Sequence, residues 1–224
     1  MPALSVPSDA TDLSIPFAPA SMAVNSIAWA PKEFGLCLAC ASSDETVRVL
    51  TRNPDDTWDV KIIPAAHKTG VNAVSWAPAT TSSMLAPAEL PAMRLVSGGC
   101  DNMVKLWRFN AEKYEWEAEA ELLQHTDWVR DVAFAPSLGS SAMMFASCSQ
   151  DKKVIIWTQA AGATEWTHKT MSFSCAVWRV SWSVTGNILA VSGGDNQVTL
   201  WKENLLGHWE QIGQFSEDGA ATKG

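Results

Sequence analysis

Four six-residue segments carry apolar side chains at their first, fourth and sixth positions, with small or polar residues mostly between them: Val24-Asn-Ser-Ile-Ala-Trp29, Val71-Asn-Ala-Val-Ser-Trp76, Val129-Arg-Asp-Val-Ala-Phe134 and Val177-Trp-Arg-Val-Ser-Trp182. Tryptophan and β-branched residues pack well on a pleat, so each segment predicts a half-buried strand rather than a helix. The first three are followed by Ala-Pro, which stops a strand. A second recurrence is a small-residue strand that ends in aspartate, with a large apolar residue six positions on: Asp44 to Leu50, Asp101 to Trp107, Asp151 to Trp157 and Asp195 to Trp201. Each aspartate falls where two strands must reverse, and Asp or Asn there tolerates the unusual dihedrals of a tight hairpin turn. Trp58, Trp116, Trp166 and Trp209 follow at eight or nine residues and mark an outer strand.

Three anchors per unit imply four strands per unit. The first anchor recurs at residues 29, 76, 134 and 182, in steps of 47, 58 and 48 residues, and the two shorter steps match the period of WD-type propeller blades. The expectation is an all-β WD-repeat β-propeller of four four-stranded antiparallel blades, left incomplete and open. Its blades fall at 22–66, 67–124, 125–172 and 173–212. The Pro, Ala, Ser and Thr-rich stretch from Pro78 into residues 91–92 lengthens the second unit and reads as a surface loop. Residues 1–21, rich in Pro, Ala and Ser, and the small, polar tail at 213–224 read as poorly ordered.

Composition narrows the function classes. The formal charge of −8, from 16 basic and 24 acidic residues without a basic cluster, disfavours a nucleic-acid backbone as partner. No apolar stretch approaches the roughly 18 residues that cross a bilayer, and no lipidation motif is present. The five cysteines (Cys37, Cys40, Cys100, Cys148 and Cys175) are an odd set without the spacing of a disulfide framework, and the start lacks a signal sequence. A reducing, cytoplasmic setting is expected. Cys37-Leu-Ala-Cys40 has redox or half-zinc spacing, but no second cysteine pair completes a metal site, so buried strand thiols are expected and no metal or cofactor.

Units two and three each carry a polar set that would brace a blade: His67, Ser97, Asp101 and Trp107, then His125, Ser147, Asp151 and Trp157. The aspartate would hold the histidine, the histidine would reach the serine, and the indole N–H would complete the chain, satisfying buried polar groups. Histidine, serine and aspartate also make a hydrolase triad. Here the trio repeats, and no Gly-x-Ser-x-Gly elbow accompanies it, so bracing is expected and enzymatic activity is not. Unit one has Cys40 and Leu50 at the serine and tryptophan places, and unit four has Val191 and no matching histidine, so neither makes the full network. Trp128 and Trp178 stand outside the repeated register beside Arg130 and Arg179, near the start of an inner strand. Tryptophan with arginine is hot-spot chemistry for protein partners, although an indole packed between blades would look the same.

Several strings go well beyond the WD pattern. His125-Thr-Asp-Trp-Val-Arg-Asp-Val-Ala-Phe-Ala-Pro-Ser137, Ala146-Ser-Cys-Ser-Gln-Asp151, Ser97-Gly-Gly-Cys-Asp-Asn102 and Asn187-Ile-Leu-Ala-Val-Ser-Gly-Gly-Asp-Asn196, with Val198-Thr-Leu-Trp-Lys-Glu203, closely resemble the Sec-thirteen family, over about residues 22 to 212. The resemblance implies a structural subunit with two settings. One is the outer cage of the COPII coat in transport from endoplasmic reticulum to Golgi, paired with Sec-thirty-one; the other is the Y-complex of the nuclear pore. It also implies a place in a complex that regulates TOR signalling. Family members are open six-bladed propellers into which a partner inserts an additional blade, and the four repeats here resemble the family's third to sixth. Membrane association would then be peripheral, through coat partners, at the endoplasmic reticulum, COPII vesicles and nuclear envelope. A different expectation for the same repeats is a generic WD adaptor that recognises peptides through its loop face, by Trp128, Arg130 and Trp178. Two apolar blade flanks left without a neighbour would make the isolated chain depend on a partner or on oligomers.

Overall fold

A computed structural model describes residues 22–79, 92–137 and 142–216. The expected segment 1–21, residues 217–224 of the expected tail and residues 80–91 of the expected loop lie outside this range.

The four apolar-first segments are strands that each open a four-stranded antiparallel meander. The first sheet is β1 (Val24–Trp29), β2 (Cys37–Ser42), β3 (Val47–Arg52) and β4 (Trp58–Ile63). The second is β5 (Val71–Trp76), β6 (Arg94–Gly99), β7 (Val104–Asn110) and β8 (Glu115–Leu122). The third is β9 (Val129–Phe134), β10 (Met143–Ser149), β11 (Lys153–Gln159) and β12 (Thr167–Ser172). The fourth is β13 (Val177–Trp182), β14 (Ile188–Gly193), β15 (Gln197–Glu203) and β16 (Trp209–Ser216). β16 therefore runs past residue 213, where a disordered tail was expected to start. Phe215 pairs with Val198 and Ser216 with Gln197, so the ladder continues through residues that composition alone read as tail.

Strand alternation gives every sheet two faces, and the faces differ in chemistry. The forward face of the first sheet offers Ala39, Ala41, Val47, Val49 and Ile63 to the larger Val71, Val74, Trp76, Leu95 and Trp107 on the back of the second. The second sheet likewise presents Ala73, Val96, Val104 and Leu106 to Val129, Val132, Phe134, Phe145, Ile155 and Trp157 of the third. The third presents Ala146, Cys148, Val154 and Ile156 to Val177, Val180, Leu189 and Val191 of the fourth. Small and aliphatic side chains in front leave room for the bulkier groups behind, and burial of this apolar area dominates the stability of the stack. Inner strands β1, β5, β9 and β13 pack in that order. No strand of the first sheet shares an extensive contact with one of the fourth among the described residues, so the propeller is open.

The hairpin turns differ in one respect from the sequence expectation. The positive φ belongs to the residue after each aspartate, Glu45 (70°), Asn102 (66°), Lys152 (68°) and Asn196 (57°). Glutamate and lysine have no special liking for this region. The aspartate carboxylate closes the turn by accepting the N–H two residues on, from Thr46, Met103, Lys153 and Gln197, at 3.0–3.2 Å.

Candidate functional site

Three features could carry function: the buried polar chains, the outward faces of the first and fourth sheets, and the entry to the inner strands.

In the second sheet, His67 Nδ1 lies 2.8 Å from Asp101 and Nε2 lies 2.8 Å from Ser97 Oγ, while Trp107 Nε1 donates to the same Oγ at 2.8 Å. The third sheet repeats this with His125 to Asp151 (3.0 Å), His125 to Ser147 (2.9 Å) and Trp157 to Ser147 (2.9 Å). A neutral histidine that donates from Nδ1 and accepts the serine O–H at Nε2 satisfies every group in the chain. The space is tight: a Cβ at Gly99 would lie 2.4 Å from His67 Cγ, so only glycine admits the ring there. Burial alone would push both carboxyls up. The histidine bonds, with the amides of Lys68 and Met103 on Asp101 and those of Thr126 and Lys153 on Asp151, outweigh it and hold both below the usual range. Ser97 and Ser147 are wholly buried, and each hydroxyl is already engaged, so neither can meet a substrate.

The outer sheets use other residues. In the first, Arg48 takes the place of a histidine and bonds Asp44 at 2.8 Å. In the fourth, Trp201 Nε1 donates to Thr199 Oγ1 at 2.8 Å. Neither substitution was foreseen from sequence, because each arises between residues on one strand or turn rather than at the serine or histidine places.

Cys37 and Cys40 are both buried, on opposite faces of β2, and burial raises both thiols above their ordinary value. Among the described residues no group of three or more His, Cys, Asp or Glu could hold a metal ion. No helix among them is long and apolar enough to cross a membrane.

The junctions between sheets are also stapled by polar groups. Trp76 Nε1 donates to the carbonyl of Ala28 at 2.9 Å and Trp182 Nε1 to that of Ala133 at 2.9 Å. In both cases the last residue of an inner strand reaches the fifth residue of the inner strand before it. Trp29 occupies the same place in β1 and is 60% exposed, against 6% for Trp76. On its row across the sheet lie Leu38, Leu50 and Val60, and on the neighbouring row Ile27, Cys40, Arg48 and Ile62. Ile27 and Ile62 are exposed too, as are Val198 and Phe215 on the forward face of the fourth sheet.

At the strand entries, all four inner strands carry a bulge at their second residue: Asn25, Asn72, Arg130 and Trp178. A bulge re-aims its side chain out of the regular alternation. Asn25 uses this to donate to the carbonyl of Val71 and Asn72 to that of Val129, each at 2.8 Å. These asparagine staples were not singled out in the sequence, although their place one residue after the recurring valine was there to be read. At the third junction, Arg130 lies over two indoles instead, its guanidinium carbon 5.0 Å from the Trp128 ring centre and 4.8 Å from that of Trp178. Arg179, expected in the same patch, turns to Asp131 at 3.8 Å. Asp131 also accepts the Val180 N–H at 3.1 Å, a cross-junction bond the sequence did not reveal.

The chain matches the family model described as WD domain, G-beta repeat, over residues 59–108, 116–158 and 167–202. Each matched stretch starts in an outer strand and ends in the third strand of the next sheet. It is similar to Protein SEC13 homolog of Drosophila melanogaster, 49% identical in an alignment 215 positions long that covers 89% of this chain and 58% of that protein. Protein transport protein sec13 of Aspergillus fumigatus is 47% identical over 87% of this chain and 64% of its own length. Protein transport protein SEC13 of Mycosarcoma maydis is 47% identical over 86% and 60%. The chain thus spans about three fifths of the length of these relatives. With repeated indoles, turn aspartates and meander sheets in one register, and three matched repeats covering more than half its length, the chain belongs to the WD-repeat (G-beta repeat) family.

Proposed function

We propose that this protein is a non-catalytic scaffold subunit of the Sec13 type, serving the COPII coat in transport from the endoplasmic reticulum and the Y-complex of the nuclear pore. It works by accepting a blade donated by a partner chain, a Sec-thirty-one-like coat subunit or its nuclear-pore counterpart. Any membrane association is peripheral and follows from those partners.

The observation that carries this reading is the outward face of the first sheet. Val71, Val74 and Trp76 are buried at the first junction, whereas their counterparts Val24, Ile27 and Trp29 are exposed. A contiguous apolar face built to the pattern of an internal junction marks a surface for another sheet. Beneath it, Nε and Nη1 of Arg48 are buried without a partner among the described residues. A blade inserted between this face and the forward face of the fourth sheet would cover both. The similarity to proteins named for protein transport supports the setting. The engaged, buried hydroxyls of Ser97 and Ser147 support a role without catalysis.

The test is co-expression of the full chain with a Sec-thirty-one-like subunit and measurement of the assembled fraction by size exclusion with light scattering. Ile27→Asp with Trp29→Glu should reduce assembly at least tenfold while leaving the circular dichroism spectrum unchanged. Assembly at the unsubstituted level would overturn the reading.

A further inference from the structure

The entry to the third junction departs from the repeat in a way that packing does not require. At the first two junctions the bulge residue is an asparagine that staples the next inner strand. At the third, the bulge residues are Arg130 and Trp178, and the cross-junction bond has moved one residue on, to Asp131 and Val180. Arg130 is thereby released from any stapling duty.

Its surroundings leave it without a counter-charge. Arg130 makes no hydrogen bond or ion pair among the described residues, and its Nε is buried without a partner. The two nearest carboxylates along the chain are already occupied. Asp127 accepts the Trp128 N–H at 2.7 Å, and Asp131 accepts the N–H groups of Val132 and Val180 and faces Arg179. Beside the patch, Gln150, whose N–H bonds the Trp128 carbonyl, has its Oε1 buried and unpartnered.

The guanidinium of Arg130 lies over two indoles. Its carbon stands 5.0 and 4.8 Å from the two ring centres, which is cation–π geometry and restricts the side chain before any partner arrives. The edge of N–H donors engages no acceptor among the described residues. That edge matches a carboxylate, which takes two parallel N–H bonds from an arginine and only one point contact from a lysine. Around it, Trp128 and Trp178 keep 43% and 42% of their surface exposed, so an apolar rim is ready to exclude water from the ion pair. The seat of Trp178 is close: a Cβ at Gly194 would lie 3.3 Å from its Nε1.

We propose that Trp128, Arg130 and Trp178 form a clamp for a glutamate or aspartate side chain of a partner peptide, with apolar residues beside the acid resting on the two indoles. The clamp is separate from the donated-blade surface, since it lies across the junction of the third and fourth sheets. The two readings therefore fail independently.

The experiment is selection of a random 12-residue peptide library, displayed with its C-terminus fused, against the full chain, followed by binding of the synthesised winners. Fusion removes the terminal carboxylate, so only side-chain acids can answer. Winners should carry an acidic residue next to apolar ones and should perturb the indole N–H resonances of Trp128 and Trp178. Replacing that acid by its amide should weaken binding at least tenfold. Arg130→Lys, which keeps the charge and loses the fork, should do the same with an unchanged melting temperature, whereas Ile27→Asp with Trp29→Glu should leave binding intact. Failure to enrich any peptide, winners without an acid, equal binding of acid and amide, or retention by Arg130→Lys would each overturn the proposal. So would preferential binding of single-stranded oligothymidylate at the same two indoles.

Discussion

The middle sheets and the outer sheets of this molecule are written in nearly the same residues and live in different environments. Trp76 and Trp29 end inner strands at the same register, yet one is buried between sheets with its N–H on a backbone carbonyl and the other faces solvent. The second and third sheets each hold a complete aspartate, histidine, serine and tryptophan chain, whereas the first relies on Arg48 and the fourth on Thr199. A repeat acquires stability from its neighbours on both sides, and a repeat at an end keeps the same residues with half the return.

The largest test of that contrast is a pair of alanine substitutions at one register. Trp76→Ala should destabilise the chain by about 3–5 kcal/mol, as large aromatic deletions in a core do. Trp29→Ala should change it by about 0.5 kcal/mol or less, as exposed substitutions do. Urea midpoints followed by tryptophan fluorescence give both; equal shifts would erase the distinction between buried and free faces.

Next in size is the polar chain. Ser97→Ala or Ser147→Ala strands a histidine nitrogen and an indole N–H inside the protein, at a cost of about 1–3 kcal/mol. Thr199→Val in the fourth sheet, where the indole is only partly buried, should cost less. A ranking with Thr199→Val at or above Ser147→Ala would mean that the outer sheets are no weaker than the middle ones.

The smallest effect is on pH dependence. Asp101 and Asp151 are held below their unfolded value of about 3.9. Their contribution is therefore complete above that pH and is lost as pH falls through the still lower folded values. Asp131 runs the other way, because burial pushes it up despite the Val180 and Val132 amides and Arg179, so acid relieves a cost there. Asp151→Asn should flatten the fall in stability between about pH 5 and pH 2 relative to the unsubstituted chain. Asp131→Asn should steepen it, and circular dichroism across that range measures both.

The register of all four sheets was legible in the sequence, because valine, aspartate and tryptophan recur at distances set by strand length and turn geometry. What escaped was side-chain chemistry that departs from the repeated places. Arg48 standing in for a histidine is visible only once β3 is folded against the turn at Asp44. The positive φ at Glu45 and Lys152 could not be read from residue preference, since the neighbouring carboxylate imposes it. The end of β16 was missed because Gly213 and Gln214 carry no strand signal of their own and are held by pairing with Leu200 and Thr199. Trp128, Arg130 and Trp178 were legible as a group by composition, but the replacement of an asparagine staple by an arginine over two indoles needed the bulges to be seen side by side.

Covalent and packing units in this molecule are out of phase, since each matched repeat begins with an outer strand of one sheet and closes with the third strand of the next. Gain or loss of a whole repeat in the gene would then cut through a sheet rather than between sheets. The connections after β4 and β8, where His67 and His125 are pinned to the following sheet, lie inside the matched repeats, so each repeat carries its own link from one sheet to the next. After such a loss the three strands kept from one sheet meet the outer strand kept from the next, so this architecture carries its own rule for rebuilding a four-stranded sheet across the cut.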